Sequence, residues 1–167
     1  GYTIVGTLGY GARSSIYAVR DSQGHHYALK RVIKTSPSDQ RFIDQAVREH
    51  EVASKFDDPV LRKSYHLHKY RRFVKISEVL VIMELVEGQS LEQRRMDHLP
   101  TLCDVCRAVA RGLKTMHEAG FVHADMKPNN VMVNADASAV KIIDFGQSCP
   151  LNTVKERIQG TPDYIAP

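Results

Sequence analysis

Apolar and polar residues alternate from Tyr2 to Lys34, with breaks at Gly9 to Arg13 and Asp21 to Gly24. Successive strand side chains point to opposite faces, so this period of two predicts three antiparallel strands joined by two turns. The period then changes. Ser36-Pro-Ser-Asp is a loop suited to capping a helix expected from about Ser38 to Phe56, whose apolar side is Ile43, Ala46, Val47, Val52, Ala53 and Phe56. Leu67 to Lys75 and Val79 to Glu84 read as two more strands, completing a five-stranded sheet that carries one helix. A short helix is expected from Leu91 to Met96, and a longer one after Pro100 to about Ala119. In the longer one, Leu102, Val105, Cys106, Val109, Leu113 and Met116 recur at three- and four-residue intervals, which marks a buried face, and Gly120 ends it. Val131 to Val133 and Lys141 to Ile143 follow as a short hairpin.

At 167 residues the chain suits one well-buried domain or two small lobes. Its formal charge of +4 comes from scattered Lys and Arg, which reads as a solvated surface and not as a nucleic-acid face. The sequence has no run of eighteen apolar residues, so no membrane span is expected, and no signal peptide precedes Tyr2. Three cysteines, Cys103, Cys106 and Cys149, suggest free thiols in a reducing compartment. Cys103 and Cys106 share a helical face, where packing is expected in preference to metal or redox chemistry.

Chemistry concentrates in Phe121-Val-His-Ala-Asp-Met-Lys-Pro-Asn-Asn-Val-Met132 and in Val140-Lys-Ile-Ile-Asp-Phe-Gly146. Taken singly, these acids, amides and prolines are ordinary turn residues between strands. Their spacing carries more. The hairpin of Val131 to Val133 with Lys141 to Ile143 brings Asn130 and Asp144 near one another at its open end, a geometry able to hold a hard cation through oxygen ligands. Near the start of the chain, Gly9 and Gly11 let backbone amides approach a ligand closely, which suits phosphate oxygens. Lys30 lies in an apolar strand on one face with Ala28, and a buried ammonium needs an anionic partner. Glu49 and Glu51 both compete for that place.

With these motifs the chain resembles the catalytic domain of a eukaryotic-type serine/threonine protein kinase. The catalytic loop is matched at His123, Asp125 and Asn130, and the metal-binding Asp-Phe-Gly at Asp144, Phe145 and Gly146. Gly9, Gly11 and Ile16 match the glycine-rich loop, and Ala28-Leu29-Lys30 the third strand. The resemblance implies an α+β, two-lobe fold: residues 1–86 would form the sheet lobe and hinge, and residues 87–167 a partial, mainly helical second lobe. It implies transfer of the ATP γ-phosphate to a Ser or Thr hydroxyl of a protein substrate, with Mg²⁺, in the cytoplasm and as part of signalling. Asp125 would accept the hydroxyl proton, Lys127 would offset charge on the γ-phosphate, and Thr161 would pack against both. Asn130 and Asp144 would hold Mg²⁺. Lys30, paired with Glu49 by family spacing to Pro59, would fix the other phosphates. Leu8, Ile16, Ala28, Met83 and Met132 would form the adenine slot, with the backbone of Glu84 and Val86 bonding the base and His123 bracing the loop. Ser90 falls where many members place an acid for the ribose.

Three departures stand out. Ser14 replaces the third glycine of the loop. Ala124 replaces the arginine before the catalytic Asp, so activity is expected to depend little on phosphorylation within Gln147 to Gln159, where Ser148 and Thr153 are available. The chain also stops at Ala166-Pro167, the start of the family's Ala-Pro-Glu, and is expected to be a fragment. A small-molecule phosphotransferase of related fold would also carry His-x-Asp and a later Asn, but Asp-Phe-Gly and Gly160-Thr-Pro-Asp-Tyr164 argue against it. A non-catalytic nucleotide-binding module would be expected to lack one of Lys30, Asp125, Asn130 or Asp144.

Overall fold

A computed structural model describes residues 1–11, 13–154 and 161–164. The chain divides into two compact units, 1–54 with 63–85, and 55–62 with 86–167.

The first unit is the five-stranded antiparallel sheet. Its strands are β1 (Tyr2–Tyr10), β2 (Ser14–Asp21), β3 (His26–Ile33), β4 (Ser64–Arg72) and β5 (Lys75–Glu84), in the order β1-β2-β3-β5-β4. Alternation along the strands sorts the side chains. Ala28, Val32, Val79, Val81 and Met83 pack against Ile43 and Ala46 of the helix α1 (Gln40–Ala53), while Val19, Leu29 and Ile82 form a second cluster with Tyr17, Tyr27 and Leu80. The helix is entered through a 3-10 turn, Pro37–Asp39, and ends at Ala53, three residues before the expected Phe56.

The β4–β5 hairpin differs from the sequence reading. Strand β4 starts three residues earlier than expected and β5 four residues earlier, and the turn falls at Phe73 and Val74, which read as strand. Phe73 takes the left-handed backbone with φ 55°, although the turn has neither glycine nor asparagine to announce it. Arg72 and Lys75 pair across the closing position.

The second unit holds α2 (Leu99–Glu118) and five short strands: β6 (Gln89–Ser90), β7 (Phe121–Val122), β8 (Val131–Val133), β9 (Val140–Ile142) and β10 (Cys149–Pro150). They pair as β6-β8-β9 and β10-β7. Pro100 sits in the first turn of α2, where its missing N–H costs nothing. The buried stripe of α2 is Val105, Ala108, Gly112 and Met116. Cys103 and Cys106 are exposed, so the expected packing role for this pair does not hold: the stripe is rotated away from them toward the small residues Ala108 and Gly112.

Residues 91–94 form a turn and not the expected helix. The Ser90 carbonyl accepts from the N–H groups of Gln93 and Arg94, both at 3.0 Å, and no further helical turn follows. Six residues are too few to repay helix nucleation without a long packed face. Gly88, at φ 128°, is required before β6, because a Cβ there would stand 2.1 Å from the carbonyl oxygen of Val133.

Residues 55–62 join this second unit, although a division at residue 86 leaves them with the first. Leu61 forms a parallel bridge with Ile142, the Arg62 N–H donates to the Ile142 carbonyl at 3.0 Å, and the Ile142 N–H donates to Val60 at 2.7 Å. Among the described residues, no helix is long and apolar enough to cross a membrane.

Candidate functional site

The second unit gathers five sequence-predicted residues around the chain between β7 and β9. Asp125 and Lys127 face one another, with Lys127 Nζ donating to Asp125 Oδ2 at 3.0 Å. Thr161 closes the group. Its Oγ1 accepts from Lys127 Nζ at 3.0 Å and donates to Asp125 Oδ1 at 3.3 Å. Both charged side chains are partly withdrawn from water, 11% exposed for Asp125 and 24% for Lys127, so the pair is held and not merely adjacent.

Asn130 is buried and donates from Nδ2 to the Asp125 carbonyl at 2.8 Å, while its own carbonyl accepts from Ile143 N–H at 2.9 Å. These two bonds tie the Asp125 loop to the residue before Asp144. Asp144 adopts φ 64° and ψ 74°, with its Oδ1 accepting from Gly146 N–H at 3.4 Å. Non-glycine residues rarely take this backbone, and here it turns the carboxylate at the end of β9. An amide oxygen and a carboxylate fit a hard cation that keeps its remaining ligands as water and phosphate oxygens, as Mg²⁺ does.

Beneath the loop, His123 is almost fully buried. Its Nε2 donates to the Ile143 carbonyl at 3.1 Å, its Nδ1 accepts from Asp125 N–H at 3.3 Å, and its ring lies 5.5 Å from that of Phe145. Burial pushes the imidazole below its ordinary pKa, against the opposing pull of the Ile143 carbonyl and the Asp144 and Asp125 charges. Ala124 between them sits at φ 62°.

Ser148, expected to be an available phosphorylation position, is fully buried, and its Oγ donates to the His123 carbonyl at 3.2 Å. The bond to that carbonyl is the reason: the hydroxyl braces the loop from inside. Thr153 is exposed, with Oγ1 donating to the Pro150 carbonyl at 2.7 Å. The rest of the expected activation segment, 155–160, and the Ala166-Pro167 end lie outside the described residues.

The first unit gathers a second set. Lys30 Nζ and Glu49 Oε2 are 2.5 Å apart, with side chains 15% and 1% exposed, whereas Glu51 points to solvent. An almost dry carboxylate demands such a partner. Ala28 and Met83 are register partners across β3 and β5, both nearly fully buried, and Ile16 is the register partner of Lys30. Leu8 is 53% exposed on β1. Neither Gly9 nor Gly11 uses left-handed backbone; nothing lies within 4 Å of a Cβ built on Gly9, whereas one built on Gly11 would stand 2.6 Å from Ser14 Oγ. Gly11 N–H donates to the Ser14 carbonyl at 2.7 Å. Glu84 N–H donates to the Lys63 carbonyl at 3.0 Å.

In the second unit, Val86 and Met132 are half-buried. Ser90, placed by sequence at a ribose position, is buried and occupied internally, with its Oγ accepting from Gln93 N–H at 3.3 Å and donating to Asn129 Oδ1 at 3.5 Å.

Sequence reasoning missed two members of this scaffold. Arg13, next to the glycine turn, donates from Nε to Asp39 Oδ1 at 2.9 Å, and Asp39 Oδ2 also accepts from Thr35 N–H, Thr35 Oγ1 and Ser36 N–H at 2.9 to 3.0 Å. The Ser-x-x-Asp spacing signalled the cap, but no local pattern signalled the arginine 26 residues away. Ser148, which read as an available phosphorylation position, gave no signal of this bracing role.

Known proteins resemble this chain at the level of sequence. The family model for the protein kinase domain matches residues 2–167. The chain is 31% identical over 164 residues to an Aurora kinase of Saccharomyces cerevisiae, covering 96% of this chain and 44% of that protein. It is 28% identical over 176 residues to the serine/threonine-protein kinase PknA of Corynebacterium glutamicum, covering 99% and 37%. With the MAP kinase kinase MKK1/SSP32 of S. cerevisiae it shares 29% identity over 174 residues, covering 98% and 33%. The chain thus spans less than half the length of these relatives.

Proposed function

The chain belongs to the protein kinase domain family, and on that premise we propose that it forms catalytic machinery of an ATP-dependent serine/threonine protein kinase. The observation that carries the reading is the closed group of Asp125, Lys127 and Thr161, which combines a carboxylate, an ammonium and a threonine hydroxyl at hydrogen-bonding distance. Phosphoryl transfer needs a positioned acceptor and charge stabilisation more than covalent chemistry from the protein. Asp125 is oriented by its neighbours to accept the proton of a substrate hydroxyl at a carboxylate oxygen. Lys127 offsets charge on the transferred phosphate. Thr161 fills space beside the acceptor, which favours a small aliphatic hydroxyl over a tyrosine ring.

Asn130 and Asp144 would hold Mg²⁺, which when bound supplies positive charge to the phosphate oxygens. Lys30, aligned by Glu49, holds the other phosphates of ATP, which the backbone at Gly9 and Gly11 approaches, with open space at Gly9. Leu8, Ile16, Ala28, Met83 and Met132 offer apolar surface to adenine. Val86 contributes backbone to the base. Glu84 would contribute its carbonyl, since its N–H is taken by Lys63. The substrate is a protein, and the compartment we assign is the cytoplasm, in keeping with three free cysteines.

Radiolabelled ATP incubated with Ser-, Thr- and Tyr-containing peptides and with small alcohols tests the assignment. The expected result is label on Ser and Thr peptides alone, falling at least about 100-fold in Asp125→Asn. Label on the alcohols would favour a small-molecule phosphotransferase. MgATP binding with no Asp125-dependent transfer would point to a non-catalytic module.

A further inference from the structure

On the face of the sheet away from α1, the edge strand β4 carries two histidines, His66 and His68, that have no part in the residue sets above. Residues two apart on a strand share a face. Both stand beside the second apolar cluster, since their register partners on β5 are Ile82 and Leu80. Their rings lie next to one another, with centroids 6.4 Å apart and planes inclined by 39°. Both residues are exposed, and among the described residues neither ring takes part in a hydrogen bond or an ion pair. Their ring nitrogens are open to a ligand from solvent.

Two imidazoles side by side on one face suit a late first-row divalent cation. With nitrogen–metal bonds of about 2.0–2.1 Å, two imidazoles on one tetrahedral ion have centroids roughly 5 Å apart. The observed rings need to close by little more than about an ångström, which unhindered side-chain torsions at an exposed edge allow. Mg²⁺ does not fit this donor set, because it takes oxygen ligands.

No third protein ligand is at hand. Among the described residues, no group of three His, Cys, Asp or Glu side chains is placed to hold a metal ion. Glu78, on the same face as the register partner of Tyr70, accepts from Arg31 Nε at 2.6 Å, and His50 Nδ1 meets Ser64 Oγ at 2.8 Å.

We propose that His66 and His68 form a surface chelate for a divalent cation of the Ni²⁺, Cu²⁺ and Zn²⁺ class, with water in its remaining positions. Two protein ligands at a sheet edge make an exchangeable site, unlike the closed four-ligand sites that hold structural zinc. Binding here requires neither ATP nor phosphoryl transfer.

Isothermal titration of the full chain with Ni²⁺, in the presence of excess Mg²⁺, tests the site. One Ni²⁺ per chain is expected. His66→Gln and His68→Gln should each weaken binding at least about tenfold, and the double variant little further, because removing either arm already destroys the chelate. Both positions are exposed, and an unchanged thermal midpoint shows that the variants fold. Cys103→Ser/Cys106→Ser should bind Ni²⁺ as the parent does, which separates the site from the exposed thiols of α2. Equal binding by the double histidine variant, or loss confined to the cysteine variant, would overturn the proposal. So would displacement of Ni²⁺ by the Mg²⁺, which marks an oxygen site, or independent and additive losses in the two single variants, which mark two unlinked rings.

Discussion

His123 is kept as a neutral imidazole, since Nδ1 must accept from Asp125 N–H while Nε2–H donates to Ile143. Its pKa is lowered on folding, first by burial, so the unfolded chain binds the proton more readily. The stability it contributes is present above the unfolded value of about 6.5 and is lost as pH falls below it. Urea midpoints measured from pH 8 to 5 should be flat at first and then decline, and His123→Gln should lose that portion of the decline. Ala124, at φ 62°, tolerates glycine, whereas Ala124→Val should cost about 1–3 kcal/mol in chemical denaturation because a branched Cβ crowds this backbone. Alanine also leaves no cation here to pair with a phosphate, and the fully buried Ser148 is shut away from modifying enzymes. Thr153→Ala should therefore leave phosphotransfer unchanged, while Ser148→Ala should lower stability by about 1 kcal/mol through the lost bond to His123. That Asp125 and Asn130 lie in one loop beside the end of β9 at Asp144 was legible in the sequence, because acids and amides at tight spacing between short apolar runs stand out. Ser148 was not, because any small residue in that loop looks alike.

At the start of α1, one carboxylate organises a turn, a helix and the glycine loop's return strand. Burial alone would raise the Asp39 pKa, but hydrogen bonds from Thr35 and Ser36 outweigh it and hold the carboxyl well below the usual range. Its contribution is therefore present above the unfolded value of about 3.9 and disappears as pH falls below that. Asp39→Ala should lower the thermal midpoint by several degrees at pH 7, more than Arg13→Ala does, since the Arg13 side chain is 45% exposed and its ion pair is screened. On α2, Gly112 marks a close approach: a Cβ there would meet Val60 Cγ1 at 2.9 Å and Ile142 Cδ1 at 3.1 Å. Gly112→Val should cost about 1–3 kcal/mol by overpacking, read from urea unfolding. Element existence was readable where a period ran long, as in β1 to β3, α1 and α2. It failed at Phe73-Val74, where apolar residues occupy a turn, and at Leu91 to Met96, where a helix-like run is too short to sustain itself. Cys106 fits the interval rule for α2 yet faces water, because small residues at Ala108 and Gly112 set which side approaches its neighbours.

Over the whole molecule, the sheet unit was foreseeable from alternation, but the membership of residues 55–62 was not. Val60 and Leu61 are an apolar pair that would read the same beside either unit, and only the bridge to Ile142 decides. Leu61→Ala, at a side chain 1% exposed, should cost about 2–5 kcal/mol and destabilise the second unit. A polypeptide of residues 1–85 alone should associate in light scattering, because Phe56 and Leu61 lose their cover, and Phe56→Ser/Leu61→Ser should restore a single monomeric size. The same bridge bears on the order of assembly. Residues 61 and 142 lie about 80 positions apart, a costly loop to close before any contact rewards it. During synthesis the sheet unit has all its residues once position 85 has left the ribosome, whereas Leu61 must wait for Ile142. In chain order, residues 55–62 of the second unit lie between the two stretches of the first, an early-made piece that is held by the first unit's chain until its own partners are made.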